Sequence, residues 1–226
     1  MTYTDYKKEF LALLSNKSDV FGERRLFEDF LEVSALAIQN SCLPVESSCW
    51  VTNQIRYLEI MNYYNQNAYG KEVPYIFSAM VLVVYKALGN GFCDFLGELY
   101  EEVSAKKSKG QFFTPYHVSK MCATMLLGDV DVLLSKKDVI WLNEPSCGCG
   151  SMVIACLDIL SKKSVDIATR VHFVAQDICK NAINACYIQA SFYGASAQLE
   201  LGNTLDLTEK KKTVYTPMAI KYPKTQ

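Results

Sequence analysis

The sequence predicts an α/β protein: an all-helical N-terminal domain over residues 1–108, then a core of alternating strands and helices over residues 109–226. Three observations predict it. Apolar residues recur at helical spacing through the first hundred positions. From Val139 onward short apolar runs alternate with helical patterns, the signature of a parallel sheet with right-handed crossovers. Between two of those runs lies Asn143 to Met152, NEPSCGCGSM, which reads as strand, glycine loop and helix.

Composition narrows the class. The chain has 226 residues, half of them hydrophobic, enough for one large or two small domains with sizeable cores and against long disorder. A net charge of −1 lacks the basic excess of a duplex binder, so any DNA contact must come from a local patch or a partner. Nine cysteines lie in apolar segments with no secretory signal ahead of them, and we expect reduced thiols in a cytoplasmic protein. The longest apolar run, Tyr75 to Leu88, contains Lys86 and is too short for a bilayer, so it reads as a buried helix and no membrane is expected.

In order, residues 3–14 place Tyr6, Phe10 and Leu13 or Leu14 on one helical face. Residues 22–40 continue with Leu26, Phe27, Phe30, Leu31, Ser34 and Ile38, closed by Asn40, Ser41 and Pro44. Residues 50–65 repeat the pattern through Ile55, Leu58 and Met61. Pro74 suits a first helical turn, and the helix over 75–88 ends at Gly89-Asn90-Gly91. A last helix spans 92–103, and a polar linker follows in which Lys106, Lys107 and Lys109 could meet DNA phosphates. The aromatic and methionine positions of this domain are core at helical spacing rather than a ligand box.

After Gly110 a Thr-Pro step precedes an apolar helix over 118–127, with Thr114 as its N-cap and Pro115 at its first position. The core then reads strand 139–143, helix 151–162, strand 171–175, helix 178–193 and strand 197–201. Along the helix over 178–193, Ile183, Tyr187 and Ala190 share one side, and Gly194 lies just past its end.

The glycine loop excludes as well as suggests. A phosphate-cradling loop needs Lys-Ser/Thr after its last glycine, and here Ser151 and Met152 follow Gly150. The dinucleotide fingerprint needs a third glycine where Val153 stands. A nucleoside cofactor without phosphates remains, with an acid at the end of the next strand to take its ribose hydroxyls, and Asp177 is in that place. Cys147 and Cys149 have no nearby CxxC or HxxxH to complete a tetrahedral zinc site, so no metal is expected. His117 and His172 are too differently placed for a catalytic pair.

Four ordered pieces carry a resemblance: GQFFTP (110–115), NEPSCGCGSM (143–152), AQDICKNAINACYIQASFYG (175–194) and GNTL (202–205). Over roughly residues 108–207 the chain resembles the S-adenosylmethionine-dependent N6-adenine DNA methyltransferases, above all the modification subunits of type I restriction systems. The resemblance implies a partial Rossmann-like methyltransferase core with S-adenosylmethionine as cofactor. It implies DNA as a partner, met directly or only within a complex, and a further methylase or restriction-modification subunit. The helical domain would then be an interaction module.

Residue by residue, the resemblance places Phe113, Thr114 and Pro115 in the turn over the cofactor, with Thr114 near its methionine carboxylate and an aromatic of Phe112-Phe113 packed nearby. Glu144, before Pro145, would pair with its α-amino group, and Cys147, Gly148 and Gly150 form the loop beneath it. Asp177 would take the ribose hydroxyls, Ile178 the adenine face, and Asn203 the adenine amino group, where the family usually has aspartate. Leu205 completes the last piece.

The family holds the target base with an (Asn/Asp)-Pro-Pro-(Tyr/Phe) motif, and no such tetrapeptide occurs in these residues. The nearest are Thr216-Pro217-Met218 and Tyr222-Pro223-Lys224. Cofactor binding is therefore expected, with methyl transfer requiring a partner or a remaining segment. The alternatives are a non-catalytic S-adenosylmethionine sensor, decoy or scaffold subunit, or an inert remnant. In the family's sheet the first strand lies between the second and fourth; either residues 213–220, with Pro217 in an edge role, cover that edge or a second polypeptide does.

Overall fold

The computed structural model describes residues 2–104, 113–206, 208 and 211–224. The chain divides into two compact units, Met1–Gly91 with Glu98–Lys109, and Phe92–Gly97 with Gly110–Gln226. Lys106, Lys107, Lys109 and Phe112, singled out in the sequence, lie outside the described residues.

In the first unit, helix α1 (Tyr3–Ser15) opens with a capping box: Thr2 Oγ1 accepts from the Asp5 N–H, and an Asp5 carboxylate oxygen accepts from the Thr2 N–H. Tyr6, Phe10 and Leu14 are its buried face, as the spacing predicts. A single turn, α2 (Ser18–Phe21), leads through Gly22 into α3 (Glu23–Cys42). Helices α4 (Ser48–Asn65), α5 (Val73–Gly89) and α6 (Phe95–Ser104) follow, and the start of α6 counts with the second unit. Edge-on aromatic pairs fill the core, Phe10 against Phe30 at 5.3 Å and Tyr64 against Phe77 at 5.7 Å between ring centroids. The buried Tyr64 hydroxyl donates to Asp29 at 2.6 Å.

Two helices differ from expectation in which face is inward. On α4, Ile55 and Leu58 are exposed, while Asn53, Ile60, Met61 and Tyr64 are buried. The reason lies across the α3–α4 seam, which is partly polar: Arg56 reaches Glu32 at 2.8 Å and Asn53 donates to Gln39 at 3.1 Å. The inward face of α4 therefore combines apolar Ile60, Met61 and Tyr64 with Asn53, and Arg56 pairs with Glu32 at its margin. Helix α5 is not buried all round, because Tyr75, Leu82 and Tyr85 face solvent.

In the second unit, α7 (Tyr116–Leu126) packs along α9. Its N-cap is Pro115, with no side-chain cap bond, so Thr114 does not cap it: the helix starts one residue later than the Thr-Pro rule places it. The turn helix α8 (Val130–Lys136) was not foreseen. Strand β1 (Ile140–Glu144), helix α9 (Ser151–Lys162), strand β2 (Val171–Asp177), helix α10 (Lys180–Phe192) and strand β3 (Ala197–Leu201) follow the predicted alternation. Strand β4 (Lys212–Tyr215) and helix α11 (Pro217–Lys221) complete the unit.

The sheet order is β1-β2-β3-β4. The first three strands are parallel and β4 runs antiparallel to β3, with Gln198 opposite Tyr215. This corrects two expectations. The sheet is mixed, and residues 213–215 extend it beyond β3 instead of covering β1. Pro217 is not an edge-strand proline but starts α11, where its missing N–H costs nothing. Thr216 holds the chain at that turn, its hydroxyl donating to the Ala195 carbonyl at 2.6 Å and accepting from the Ala197 N–H at 2.9 Å. Among the described residues no strand pairs with the outer edge of β1.

Candidate cofactor site

Parallel pairing brings the carboxyl ends of β1 and β2 side by side. Glu144 stands opposite Ala175, so Asp177 extends two residues farther along its strand. The loop from Pro145 to Gly150 turns over these ends into α9.

Backbone bonds hold that loop. The Cys147 N–H donates to the Gln176 carbonyl at 2.8 Å, and the Gly150 N–H donates to the Cys147 carbonyl at 2.9 Å. Asp177 works from the next strand: one carboxylate oxygen accepts from the Gly148 N–H at 2.9 Å and the other from the Cys179 N–H at 2.8 Å. A carboxylate oxygen can accept twice, so each retains capacity for a further donor. Glu144 accepts from the Ser146 N–H at 3.2 Å.

Two positions require glycine. Gly148 has φ +53°, and a Cβ there would lie 2.8 Å from the Phe113 ring. Gly150 caps α9 at φ +102°, and its Cβ would meet Cys186 Sγ at 2.9 Å. The backbone at Gly148 therefore forms a cradle against Phe113 that any side chain would fill.

A cavity of about 450 Å³ opens here. Of the residues singled out in the sequence, Phe113, Thr114, Glu144, Cys147, Gly148 and Asp177 line it. Pro115, Pro145, Gly150, Ile178, Asn203 and Leu205 do not. Gly150 and Pro145 shape the loop from behind, and the Pro145 carbonyl accepts from the Thr204 hydroxyl at 2.5 Å. Ile178 and Leu205 are 71% and 92% exposed, and Asn203 Oδ1 accepts from the Leu205 N–H at 3.0 Å.

Sequence reasoning passed over Ser119 and Ser151, which line the cavity with their hydroxyls 2.9 Å apart. Ser151 follows directly on the glycine pair, and Ser119 lies one turn into the helix after the Thr-Pro step; those positions were the available signal. The loop thiols are neutral. A hydrogen bond with Cys186, then burial, pushes the Cys147 thiol far above its ordinary range, and burial does the same for Cys149. His172 is buried, bonded to Ser196 at 2.9 Å and set against the Trp141 ring, whereas His117 is exposed. Among the described residues, no three His, Cys, Asp or Glu side chains are grouped to hold a metal, and no helix is long and apolar enough to cross a membrane.

Comparison with known proteins then gives three findings. A family described as N-6 DNA Methylase matches residues 91–221. The methylase subunit of the type I restriction enzyme MpnII from Mycoplasma pneumoniae is 27% identical over 126 residues, 55% of this chain and 21% of that protein. This chain thus spans about a fifth of that relative's length. A solved structure described as a proposed class I S-adenosylmethionine-dependent methyltransferase from Listeria monocytogenes aligns with a TM-score of 0.46 and 15% identity, covering 91% of this chain and 56% of that one.

Proposed function

The chain belongs to the N-6 DNA methylase family, whose cofactor is S-adenosylmethionine, and from that premise we propose that the cavity at the ends of β1 and β2 is its cofactor site. The chain then serves as the cofactor-holding part of a DNA adenine N6-methyltransferase.

The observation that carries this reading is Asp177. Its carboxylate sits in the cavity wall, fixed at both oxygens by backbone N–H groups, with lone pairs left for the two hydroxyls of a ribose. Two further features fit the same cofactor. The cavity volume falls in the range of small-molecule sites, and the Phe113 ring, packed directly on the Gly148 backbone, forms an apolar part of the cavity wall beside the loop. Glu144 would hold the α-amino group, and the amino-terminal turn of α9 would favour the carboxylate. Ile178 and Asn203 would meet the adenine from the rim.

When bound, the cofactor supplies an electrophilic methyl group on a sulfonium sulfur. The chain's own residues orient it and protect it. Neutral Cys147 and Cys149 matter here, because a thiolate beside the cofactor would be a competing nucleophile and a protonated, buried thiol is not. The adenine must be flipped out of its duplex to reach the methyl group. Its holder is supplied by a partner or a segment other than these residues, which contain no (Asn/Asp)-Pro-Pro-(Tyr/Phe) tetrapeptide.

Calorimetric titration tests the reading. S-adenosylmethionine should bind selectively over ATP and NAD, and Asp177→Ala should weaken binding roughly 100-fold, as expected for losing two hydrogen bonds to a charged group. Unchanged affinity in that variant would put the site elsewhere. Methyl transfer to DNA by the purified chain alone would overturn the need for a separate base holder.

A further inference from the structure

One buried polar group near the loop has no part in the site described so far. Gln189 lies on α10 among apolar neighbours and is fully buried, so it touches no solvent and no ligand. Its amide is nevertheless satisfied at both ends. Nε2 donates to the Cys149 carbonyl at 3.0 Å and to Asp94 Oδ1 at 2.8 Å, and Oε1 accepts from the Leu96 N–H at 3.0 Å. Asp94, also buried, accepts in addition from the Gly97 N–H at 3.1 Å. The segment carrying Asp94 and Leu96 is itself held on α10, with the Cys93 N–H donating to the Tyr193 hydroxyl at 2.9 Å and Phe92 stacked on the Tyr193 ring.

The bond to Cys149 matters for the cofactor loop. The Cys149 carbonyl and the Gly150 N–H belong to one peptide plane, and that plane is pinned at both ends: the carbonyl by Gln189, the N–H by the Cys147 carbonyl at 2.9 Å. Gly150 is free to rotate at its positive φ, so without an external hold the plane can flip. A flip turns the Cys149 carbonyl oxygen against the Cys147 carbonyl that the Gly150 N–H now meets, and the repulsion displaces a loop whose Cys147, Gly148 and Cys149 line the cavity.

We propose that Gln189 is a positioning residue that locks the Cys149–Gly150 peptide in the orientation the cofactor requires. The proposal rests on the cofactor reading above. It assigns Gln189 no contact with the cofactor: it acts only through the loop backbone.

The test separates loop orientation from simple stability. Gln189→Leu removes all three bonds and leaves the buried Asp94 short of a donor, so it lowers stability as well as binding. The informative comparison is with Asp94→Ala, which removes the acceptor for Gln189 Nε2 and for the Gly97 N–H and so also lowers stability, but leaves the Gln189 donor to the Cys149 carbonyl and its acceptor for the Leu96 N–H in place.

Both variants should melt below wild type. Only Gln189→Leu should bind S-adenosylmethionine about tenfold more weakly by calorimetry, and only in Gln189→Leu should hydrogen exchange at the Gly150 amide of the ligand-free protein speed up by a similar factor. Wild-type affinity together with wild-type Gly150 exchange in Gln189→Leu, or equal losses in the two variants, would overturn the proposal. Should the wild-type protein not bind S-adenosylmethionine at all, the cofactor reading fails. The Gly150 exchange rates of the two ligand-free variants then decide by themselves whether Gln189 orders the loop.

Discussion

Replacing Gly150 with alanine perturbs the loop in a way the structure lets us size. At φ +102° an alanine lies beyond the left-handed well, where an L-residue costs about 1–2 kcal/mol. The new methyl would sit 2.9 Å from Cys186 Sγ, 3.3 Å from its Cβ and 3.4 Å from its Cα, so α10 or the loop must give way. Overpacking of this kind costs about 1–3 kcal/mol. Together these give about 2–5 kcal/mol, or a melting temperature lower by about 4–20 °C for a chain of this size. The two terms separate in a double-mutant cycle with Cys186→Ala, which removes the sulfur the methyl strikes. Alone, Cys186→Ala should destabilise by leaving a small void; in the Gly150→Ala background it should relieve strain. A coupling of about 1–2 kcal/mol in urea unfolding is expected, since residues in contact couple on this scale. Additivity within about 0.5 kcal/mol would refute the packing argument, and an unchanged melting temperature in Gly150→Ala would refute the conformational one.

Other expectations concern charge and thiols. Asp158 is buried on α9 between Lys120 and Lys162, each at 2.8 Å; burial works to raise its pKa, but the hydrogen bonds from the two lysines outweigh it and the pKa falls below 3.8. A pKa lowered on folding adds stability that is present above the unfolded value and lost as pH falls through the folded one. The melting-temperature gap between wild type and Asp158→Asn should therefore be widest near neutral pH and close below about pH 3.8, and a gap independent of pH would refute the pairing. Among the thiols, exposed Cys49 should alkylate first, while buried Cys147 and Cys149, with raised pKa values, stay unmodified in the folded protein. Peptide mapping after iodoacetamide treatment reads the order directly, and early labelling of Cys147 would contradict a neutral loop.

Much of the site was legible in the sequence because its determinants are local. A strand that ends in a glycine turn and feeds a helix is written in consecutive residues, so NEPSCGCGSM and the acid at Asp177 could be read without a fold. Six of the singled-out residues do line one cavity. Less legible were groups whose role depends on a distant partner. Nothing around Gln189 in the sequence announces that its amide meets Asp94 and Leu96, more than ninety residues away. Ser119 is one polar residue on an apolar helix until α7 packs on α9 and sets it against Ser151.

The same distinction runs through the fold. Periodicity along the chain determined where most of the helices and the first three strands form and the order in which they alternate, and four short motifs carried the resemblance to the family, because both depend on residues close together in sequence. Tertiary structure decided which face of α4 turns inward, since Ile60, Met61 and Tyr64 are buried on the side where Asn53 meets Gln39 of another helix, and Ile55 and Leu58 are left exposed. It also decided that β4 joins β3 antiparallel, leaving the outer edge of β1 without a strand among the described residues. A strand's pattern states that one face is buried but is silent about which edge it will pair with, because backbone N–H and C=O groups are the same at every residue and the choice falls to long-range packing.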